Sequence, residues 1–127
     1  MIKYLGVDWG EKRIGLALAD SENGISTPFK VVSSPSALLK VVSDEKINFL
    51  VIGNPKKMSG KDTDNPNFLR FINFIENNIN RDEIGVVLID ERLSSVQADS
   101  IMNKKINNNR DSLSAMIILQ SYLDRKW

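Results

Sequence analysis

The spacing of apolar residues in the first third of the chain predicts three β-strands. One apolar run ends at Asp8, and a second covers residues 14–19. Only residues 10–12 lie between the two runs, a length that suits the loop of a β-hairpin. A third run covers residues 27–32, where Pro28 restricts the start of the strand to a sheet edge or a bulge. These runs predict a three-stranded antiparallel meander.

Beyond the meander, the hydrophobic period changes to that of alternating helices and strands. Ser36 is placed to cap a helix, and a second amphipathic helix is predicted around residues 68–75. Residues 49–53 and 86–89 are continuous apolar runs, a pattern typical of strands that are buried on both faces.

Two more helices are predicted in the last third. Ser94 followed by Gln97 is a capping-box pattern, and Asp111 stands before a final helix with a wide apolar face. Strand–helix alternation implies right-handed crossovers and a partly parallel sheet. We therefore expect an α/β fold in one domain over residues 1–127: a five-stranded mixed β-sheet, formed by a three-strand antiparallel meander plus parallel strands, flanked by α-helices.

The composition limits the chemistry mainly through two missing residue types. The chain has neither histidine nor cysteine, which excludes imidazole bases, thiolate nucleophiles, disulfides and the common zinc sites. A bound metal must then be held by oxygen atoms, and oxygen-only sites favour Mg²⁺ or Mn²⁺. No apolar run approaches the ~18 residues of a membrane span. Asp8 interrupts the apolar stretch at the N-terminus, so we expect a cytoplasmic protein without a signal peptide or a membrane partner.

Three carboxylates stand where the predicted fold could use them for chemistry. Asp8 and Glu91 lie at the ends of two predicted strands, and Asp111 opens the last helix. Because the carboxyl ends of strands face the ligand-binding crevice of open α/β sheets, the three could converge at one edge. Like charges that converge repel one another unless a cation neutralises them. Taken singly, each also has a structural explanation: Asp8 as a turn former, Asp111 as a helix N-cap and Glu91 as a surface charge.

Four sequence blocks cover nearly the whole chain and carry a family resemblance. They are residues 5–17 (LGVDWGEKRIGLA), 51–55 (VIGNP) with Met58 and Gly60, 90–98 (DERLSSVQA) and 111–123 (DSLSAMIILQSYL). Together they resemble the motifs of the YqgF family, which is also described as Holliday-junction-resolvase-like or as pre-16S rRNA nucleases. Two departures could alter the grip on substrate: Asn54, where members usually carry an apolar residue, and the asparagine-rich residues 107–109.

The resemblance implies an RNase H-like fold and a nuclease whose catalytic, metal-binding residues are Asp8, Glu91 and Asp111. We infer hydrolysis of phosphodiester bonds assisted by one or two Mg²⁺ ions, and we expect Asp8, on the most buried strand, to be the bridging ligand. The implied substrate is either precursor 16S rRNA, cut at its 5′ end during ribosome biogenesis, or branched DNA in recombination and repair. The residues themselves do not choose between RNA and DNA.

The distribution of basic residues fits a nucleic-acid partner, although the net charge does not. With 17 Lys and Arg against 16 Asp and Glu, the formal net charge is only +1, which carries no signal for such a partner. Basic residues nevertheless flank each acidic segment, as expected for a basic rim around a metal centre that binds a phosphodiester. Lysines are also common in loops that bind nothing. The candidate nucleic-acid-binding residues are Lys12, Arg13, Lys56, Lys57, Lys61, Arg92, Lys104, Lys105 and Arg110.

Two functions of other classes stay open. Actin-like ATPases also place an Asp-x-Gly turn against phosphate, although they generally clamp the nucleotide between two domains. A non-catalytic RNA-binding or ribosome-assembly factor could keep this fold without cleaving anything. We expect Trp9 to pack in the core or at its rim, although it could stack on a base. Either a monomer or a homodimer is compatible with the sequence.

Overall fold

The computed structural model describes residues 1–54, 65–90 and 110–126 of the chain. These residues form five β-strands and three α-helices. In chain order the elements are β1 (Lys3–Asp8), β2 (Ile14–Asp20), β3 (Thr27–Val32), α1 (Pro35–Asp44), β4 (Phe49–Asn54), α2 (Pro66–Asn78), β5 (Gly85–Asp90) and α3 (Arg110–Lys126). The helix predicted to begin at Ser94 lies outside the described residues.

The five strands form one mixed sheet in the order β3-β2-β1-β4-β5. β1 pairs antiparallel with β2, and β2 pairs antiparallel with β3. On the other side, β1 pairs parallel with β4, and β4 pairs parallel with β5. The predicted five-stranded mixed sheet is therefore confirmed, and β1, which ends in Asp8, is its central strand.

Helices cover both faces of the sheet, and the alternation of side chains along β1 shows which face is which. Leu5 and Val7 belong to a buried cluster that also contains the apolar faces of α1 and α2. Tyr4 belongs to a second cluster, which α3 completes with Ile118 and Leu119. Because successive residues of a strand point to opposite faces, even-numbered residues of β1 face α3 and odd-numbered ones face α1 and α2.

The first two helices begin with side-chain caps that the local sequence supplies. Ser34 is the N-cap of α1, where its Oγ accepts a hydrogen bond from the backbone N–H of Ala37 at 3.2 Å. The prediction of Ser36 as the cap is wrong, because Pro35 fits the first helical turn and the helix starts two residues earlier. At α2, Asn65 Oδ1 accepts from the N–H of Asn67 at 2.9 Å.

The two edges of the sheet show how far the strand predictions hold. Pro28 lies in β3, which is an edge strand, and the β2–β3 register shifts beside it, so the predicted restriction is confirmed. β5 is the other edge strand of the described sheet. The prediction that residues 86–89 are fully buried is wrong for Leu88, which is 43% exposed, because an edge strand has a neighbouring strand on one side only. Within the described segments, no helix combines the length and the apolar character that a membrane crossing needs.

α3 packs against the backbone of the sheet and is also hydrogen-bonded to the loop between β2 and β3. Near its middle, a Cβ atom added to Gly6 would lie 2.7 Å from the carbonyl oxygen of Ala115 and 2.7 Å from Leu119 Cβ. Further along, Gln120 binds the loop between β2 and β3. Its Oε1 accepts from the N–H of Ser26 at 2.8 Å, and its Nε2 donates to the carbonyl oxygen of Gly24 at 3.1 Å. The helix thus lies directly on the backbone of β1 and is also tied to the loop beyond β2.

We predict that Gly6→Ala lowers the free energy of unfolding by about 1–3 kcal/mol, the usual cost of overpacking a well-filled core. The added methyl group would meet helix backbone, which cannot rotate away. Chemical denaturation of the two proteins measures the difference. Gly24→Asn is the control and should lose less stability, since no atom lies within 4 Å of a Cβ added to Gly24 and asparagine tolerates its φ of 65°. Equal stability of Gly6→Ala and the parent chain would contradict the close packing.

A candidate metal centre at the carboxyl edge of the sheet

Asp8 ends the central strand and faces the α3 side of the sheet. The strand alternation that turns Leu5 and Val7 towards α1 and α2 places Asp8 on the same face as Gly6. Gly6 lies under α3. Asp8 is partly buried. The carboxylate is therefore presented at the carboxyl end of a central parallel-paired strand, where α/β sheets bind their ligands.

Asp111 reaches the same place from the other end of the chain. Gly15 is the β2 partner of Asp8 in the antiparallel ladder, and Cα atoms paired in this way are about 4.5–5.5 Å apart. A Cβ on Gly15 would overlap the carbonyl group of Asp111 and would lie 2.8 Å from Asp111 Cβ. Asp8 and Asp111 therefore both adjoin Gly15. Two of the three predicted site residues lie at this edge of the sheet.

The start of α3 differs slightly from the prediction. Asp111 was expected to stand before the helix as its N-cap, but the helix begins at Arg110 and Asp111 lies in the first turn. A carboxylate in the first turn is favoured by the helix dipole, which carries partial positive charge at the N-terminus. The N-cap expectation is therefore replaced by a charge–dipole interaction.

Arg13 supplies a positive charge to this pair of acids. Its Nε lies 3.1 Å from Asp111 Oδ2, and the side chains are 73% and 29% exposed respectively. An ion pair with one partner this exposed contributes about 0–1 kcal/mol to stability. The pair matters more for the site, because it puts a guanidinium beside a carboxylate that is a candidate metal ligand.

Several predicted site residues fall outside the described part of the chain. Glu91 directly follows Asp90, the last residue of β5, and its position stays a prediction. Among the described residues, no group of three or more acidic side chains is close enough to hold a metal ion. Lys12 is exposed on the loop between β1 and β2. The side chain of Arg110 and all of Lys56, Lys57, Lys61, Arg92, Lys104 and Lys105 lie outside the description.

Gly15 is the residue at this site that sequence reasoning missed. It carries no reactive group, but it alone allows the backbone of Asp111 to touch the strand beside Asp8. A signal was present, because small residues occupy alternate positions of β2 at Gly15, Ala17 and Ala19. Ala17 and Ala19 belong to the cluster that α3 completes. Such a row of small side chains on one face of a strand indicates that a helix packs closely there.

Trp9 packs as expected, at the rim of the core on the opposite face. Its ring centroid lies 5.5 Å from that of Phe68 and 6.1 Å from that of Phe71, both in α2. It contacts the cluster covered by α1 and α2. The chain thus turns at the end of β1 so that Asp8 faces α3 and Trp9 faces α2.

Curated proteins similar to this chain align with it over almost its full length. A protein of Maridesulfovibrio salexigens named "Putative pre-16S rRNA nuclease" is 35% identical over 136 residues, covering 98% of this chain and 99% of the relative. A protein of Phocaeicola vulgatus with the same name is 35% identical over 138 residues, covering 99% of this chain and 98% of the relative.

Solved structures with a similar fold are much more distant in sequence. RuvC of T. thermophilus, in complex with a Holliday junction substrate, matches with a TM-score of 0.64 at 10% identity, covering 99% of this chain and 96% of that one. The Fowlpox virus resolvase, in complex with Holliday junction DNA, matches with a TM-score of 0.58 at 14% identity, covering 98% and 99%. The similarity confirms the RNase H-like fold.

The family resemblance stated from the four sequence blocks is also confirmed. A family model described as "RuvX: Holliday junction resolvase" matches residues 2–125. This match includes all three predicted metal-binding residues, Asp8, Glu91 and Asp111. The chain belongs to the RuvX family, the family called YqgF above.

Proposed function

We propose that this chain is a metal-dependent endonuclease that hydrolyses phosphodiester bonds in precursor 16S rRNA, in the cytoplasm, with residues 1–127 forming one catalytic domain. The observation that carries the proposal is the meeting of Asp8 and Asp111 across Gly15 at the carboxyl edge of the sheet. The similarity to proteins named as pre-16S rRNA nucleases over 98–99% of the chain supports the choice of reaction.

The donor atoms available at this edge fit a hard divalent cation. The chain has no histidine or cysteine, so carboxylate oxygens are the charged ligands on offer. Asp8 and Asp111 would hold the ion, with Glu91 as the third ligand, and Mg²⁺ or Mn²⁺ suits such a set. One or two bound ions would lower the pKa of the attacking water and stabilise negative charge on the leaving oxygen.

The protein's own residues position the substrate. Arg13 is 73% exposed, so its guanidinium can turn from Asp111 to a phosphate of the substrate without breaking core contacts. Guanidinium groups bind phosphate through two parallel hydrogen bonds, which fixes the orientation of the phosphate as well as its distance. Lys12 lies next to Arg13 on the same exposed loop. Together they would hold the backbone of the nucleic acid over the two aspartates.

RNA is the proposed substrate because of the closeness of the relatives. Proteins 35% identical over nearly the whole chain carry the name of an rRNA nuclease. The structures with bound Holliday junctions are only 10–14% identical, which supports the fold and not the substrate. Branched DNA is the second candidate, because the family model is described as a Holliday junction resolvase.

We predict that the purified chain with Mg²⁺ cleaves a precursor 16S rRNA fragment faster than a four-way DNA junction of equal concentration. Gel analysis of 5′-labelled substrates measures both rates side by side. EDTA should stop cleavage, since the proposed site acts only with a cation. Preferential cutting of the junction would transfer the proposal to branched DNA.

We predict that Asp8→Asn reduces the cleavage rate by at least about a hundredfold. Losing a residue that only hydrogen-bonds to a metal ligand usually costs about 10- to 100-fold, and losing a ligand should cost more. Without Mg²⁺ its thermal stability should equal or slightly exceed that of the parent chain, because one of two neighbouring negative charges is removed. Added Mg²⁺ should stabilise the parent chain through binding to the folded state, and the variant much less. Differential scanning calorimetry measures the two stabilities.

Asp44→Asn is the matched control for this variant. Asp44 ends α1, and the next residue, Glu45, pairs with Lys3 at the start of β1, so Asp44 lies at the opposite edge of the sheet. Its cleavage rate should match that of the parent chain. A loss of several kcal/mol in Asp8→Asn would make Asp8 a structural residue. Unchanged cleavage in Asp8→Asn would remove Asp8 from the site, and no cleavage by the parent chain would favour a non-catalytic RNA-binding factor.

We predict that Arg13→Gln weakens nucleic-acid binding and reduces the slope of log K against log salt by about one, the signature of one lost phosphate contact. Fluorescence anisotropy at several salt concentrations measures the slope. Lys40→Gln is the control, because it also removes one cation from an exposed ion pair, the Lys40–Asp44 pair at 2.9 Å. Equal slopes for Arg13→Gln and Lys40→Gln would rule out a phosphate contact by Arg13.

A further inference from the structure

A cleft of about 450 Å³ lies immediately beside the candidate metal centre, on the other face of the sheet. Its volume falls within the ~300–1,000 Å³ of small-molecule pockets. Trp9, the residue after Asp8, forms one wall, and the first turns of α1 and α2 form the others. The cleft and the metal centre therefore share the carboxyl edge of the sheet and are separated by the end of β1.

Large apolar side chains form much of the cleft wall. Trp9 is tilted by 33° against Phe71, and Phe74, Ile14 and Pro35 are the other large apolar residues of the lining. Trp9, Phe71 and Phe74 contact the buried cluster on this face, so their rings are held in place rather than free to rotate. Phe71 itself is buried, so Trp9 and Phe74, which are partly exposed, are the rings that can offer a face to a base. Aromatic side chains bind bases by stacking, whatever the base.

The rim of the cleft offers both hydrogen-bond donors and acceptors. Asn67 Nδ2 donates to Glu11 Oε1 at 2.9 Å, and Arg70 Nη1 donates to Asn67 Oδ1 at 3.0 Å. All three side chains line the cleft and belong to exposed residues. A nucleobase carries both donors and acceptors on its edges. The rim can therefore hydrogen-bond to the edge of a base whose face lies against the apolar wall of the cleft.

We propose that this cleft binds one unpaired nucleobase of the substrate strand, a few nucleotides from the phosphate held at Asp8. The assignment rests on the proposed function, because a strand laid over Asp8 and Arg13 crosses the edge of the sheet next to Trp9. A base inside a continuous duplex is stacked and paired and cannot enter. The cleft therefore selects single-stranded segments or unpaired bases over intact duplex.

The continuity of the cleft with the metal centre favours a nucleobase over a peptide or a free small molecule. Asp8 and Trp9 are consecutive, so their Cα atoms are about 3.8 Å apart. A ligand that extends from a phosphate at Asp8 reaches this cleft first. Arg13 lies beside the candidate metal centre and Arg70 lies at the rim of the cleft. A negatively charged strand that runs from one to the other would meet a positive side chain at both places.

A binding experiment with single-stranded RNA tests the inference without requiring cleavage. A set of short RNA strands, each with one abasic position, is titrated by fluorescence anisotropy into the full chain in EDTA. We expect one abasic position to weaken binding at least about fivefold relative to the intact strand, the effect of losing one base–aromatic stack. The other positions should bind like the intact strand.

Two matched variants show whether the cleft causes the effect. Ser33 lines the cleft and is exposed, so Ser33→Phe should fill the cleft and abolish the difference between the abasic and intact strands. Ser36 is also exposed but does not line the cleft, and Ser36→Phe should keep the full difference. If Ser33→Phe proves less stable than the parent chain, Arg70→Ala, at an exposed rim residue, takes its place. Arg70→Ala should reduce the difference between the abasic and intact strands.

The outcomes separate this inference from the proposed function. Cleavage of RNA with Mg²⁺ together with equal binding of all abasic strands would overturn the base site and leave the nuclease proposal standing. A single sensitive position that Ser33→Phe abolishes, without any cleavage, would support the base site and overturn the nuclease proposal. Sensitivity that persists in Ser33→Phe, or failure of the intact strand to bind, would overturn the base site.

Discussion

The contact between α3 and the backbone of the sheet is the constraint on which the rest of the site depends. At Gly6 and Gly15 the helix touches strand backbone, and any side chain there would collide with it. A helix held one side-chain layer further away would carry Asp111 away from Asp8. Close packing of the helix on the strands therefore fixes the position of Asp111. It places Asp111 against the strand that pairs with Asp8, and Arg13 provides a positive charge beside Asp111.

Much of the fold could be predicted from the sequence because period and length are local signals. The meander, the helix–strand alternation and the place of Pro28 follow from which positions are apolar. Two details could not be predicted, because one depends on a neighbouring residue and the other on the position of the strand in the sheet. Pro35 fixes the start of α1 before Ser36 can act, and Leu88 is exposed because β5 has no further strand beside it in the described sheet.

The candidate site was predictable in its residues but not in its arrangement. Strand ends and family motifs pointed to Asp8 and Asp111, whereas the residue that joins them, Gly15, has no chemistry to reveal it. The cleft behind Trp9 also escaped, because it forms between elements that are far apart in the sequence: the β1–β2 loop and the starts of α1 and α2. Glu91 follows the last described residue of β5, and its role stays a prediction.

The hydrogen bonds of Gln120 also determine where α3 lies along its own axis. The contacts at Gly6 and Gly15 set how close the helix lies to the sheet. The bonds from Gln120 to Ser26 and Gly24 fix one point of the helix to a loop, and therefore its position along the axis. Asp111 lies nine residues before Gln120, and therefore about 13.5 Å away along the axis. A glutamine that is remote from the carboxylates thus determines where Asp111 lies along the helix axis.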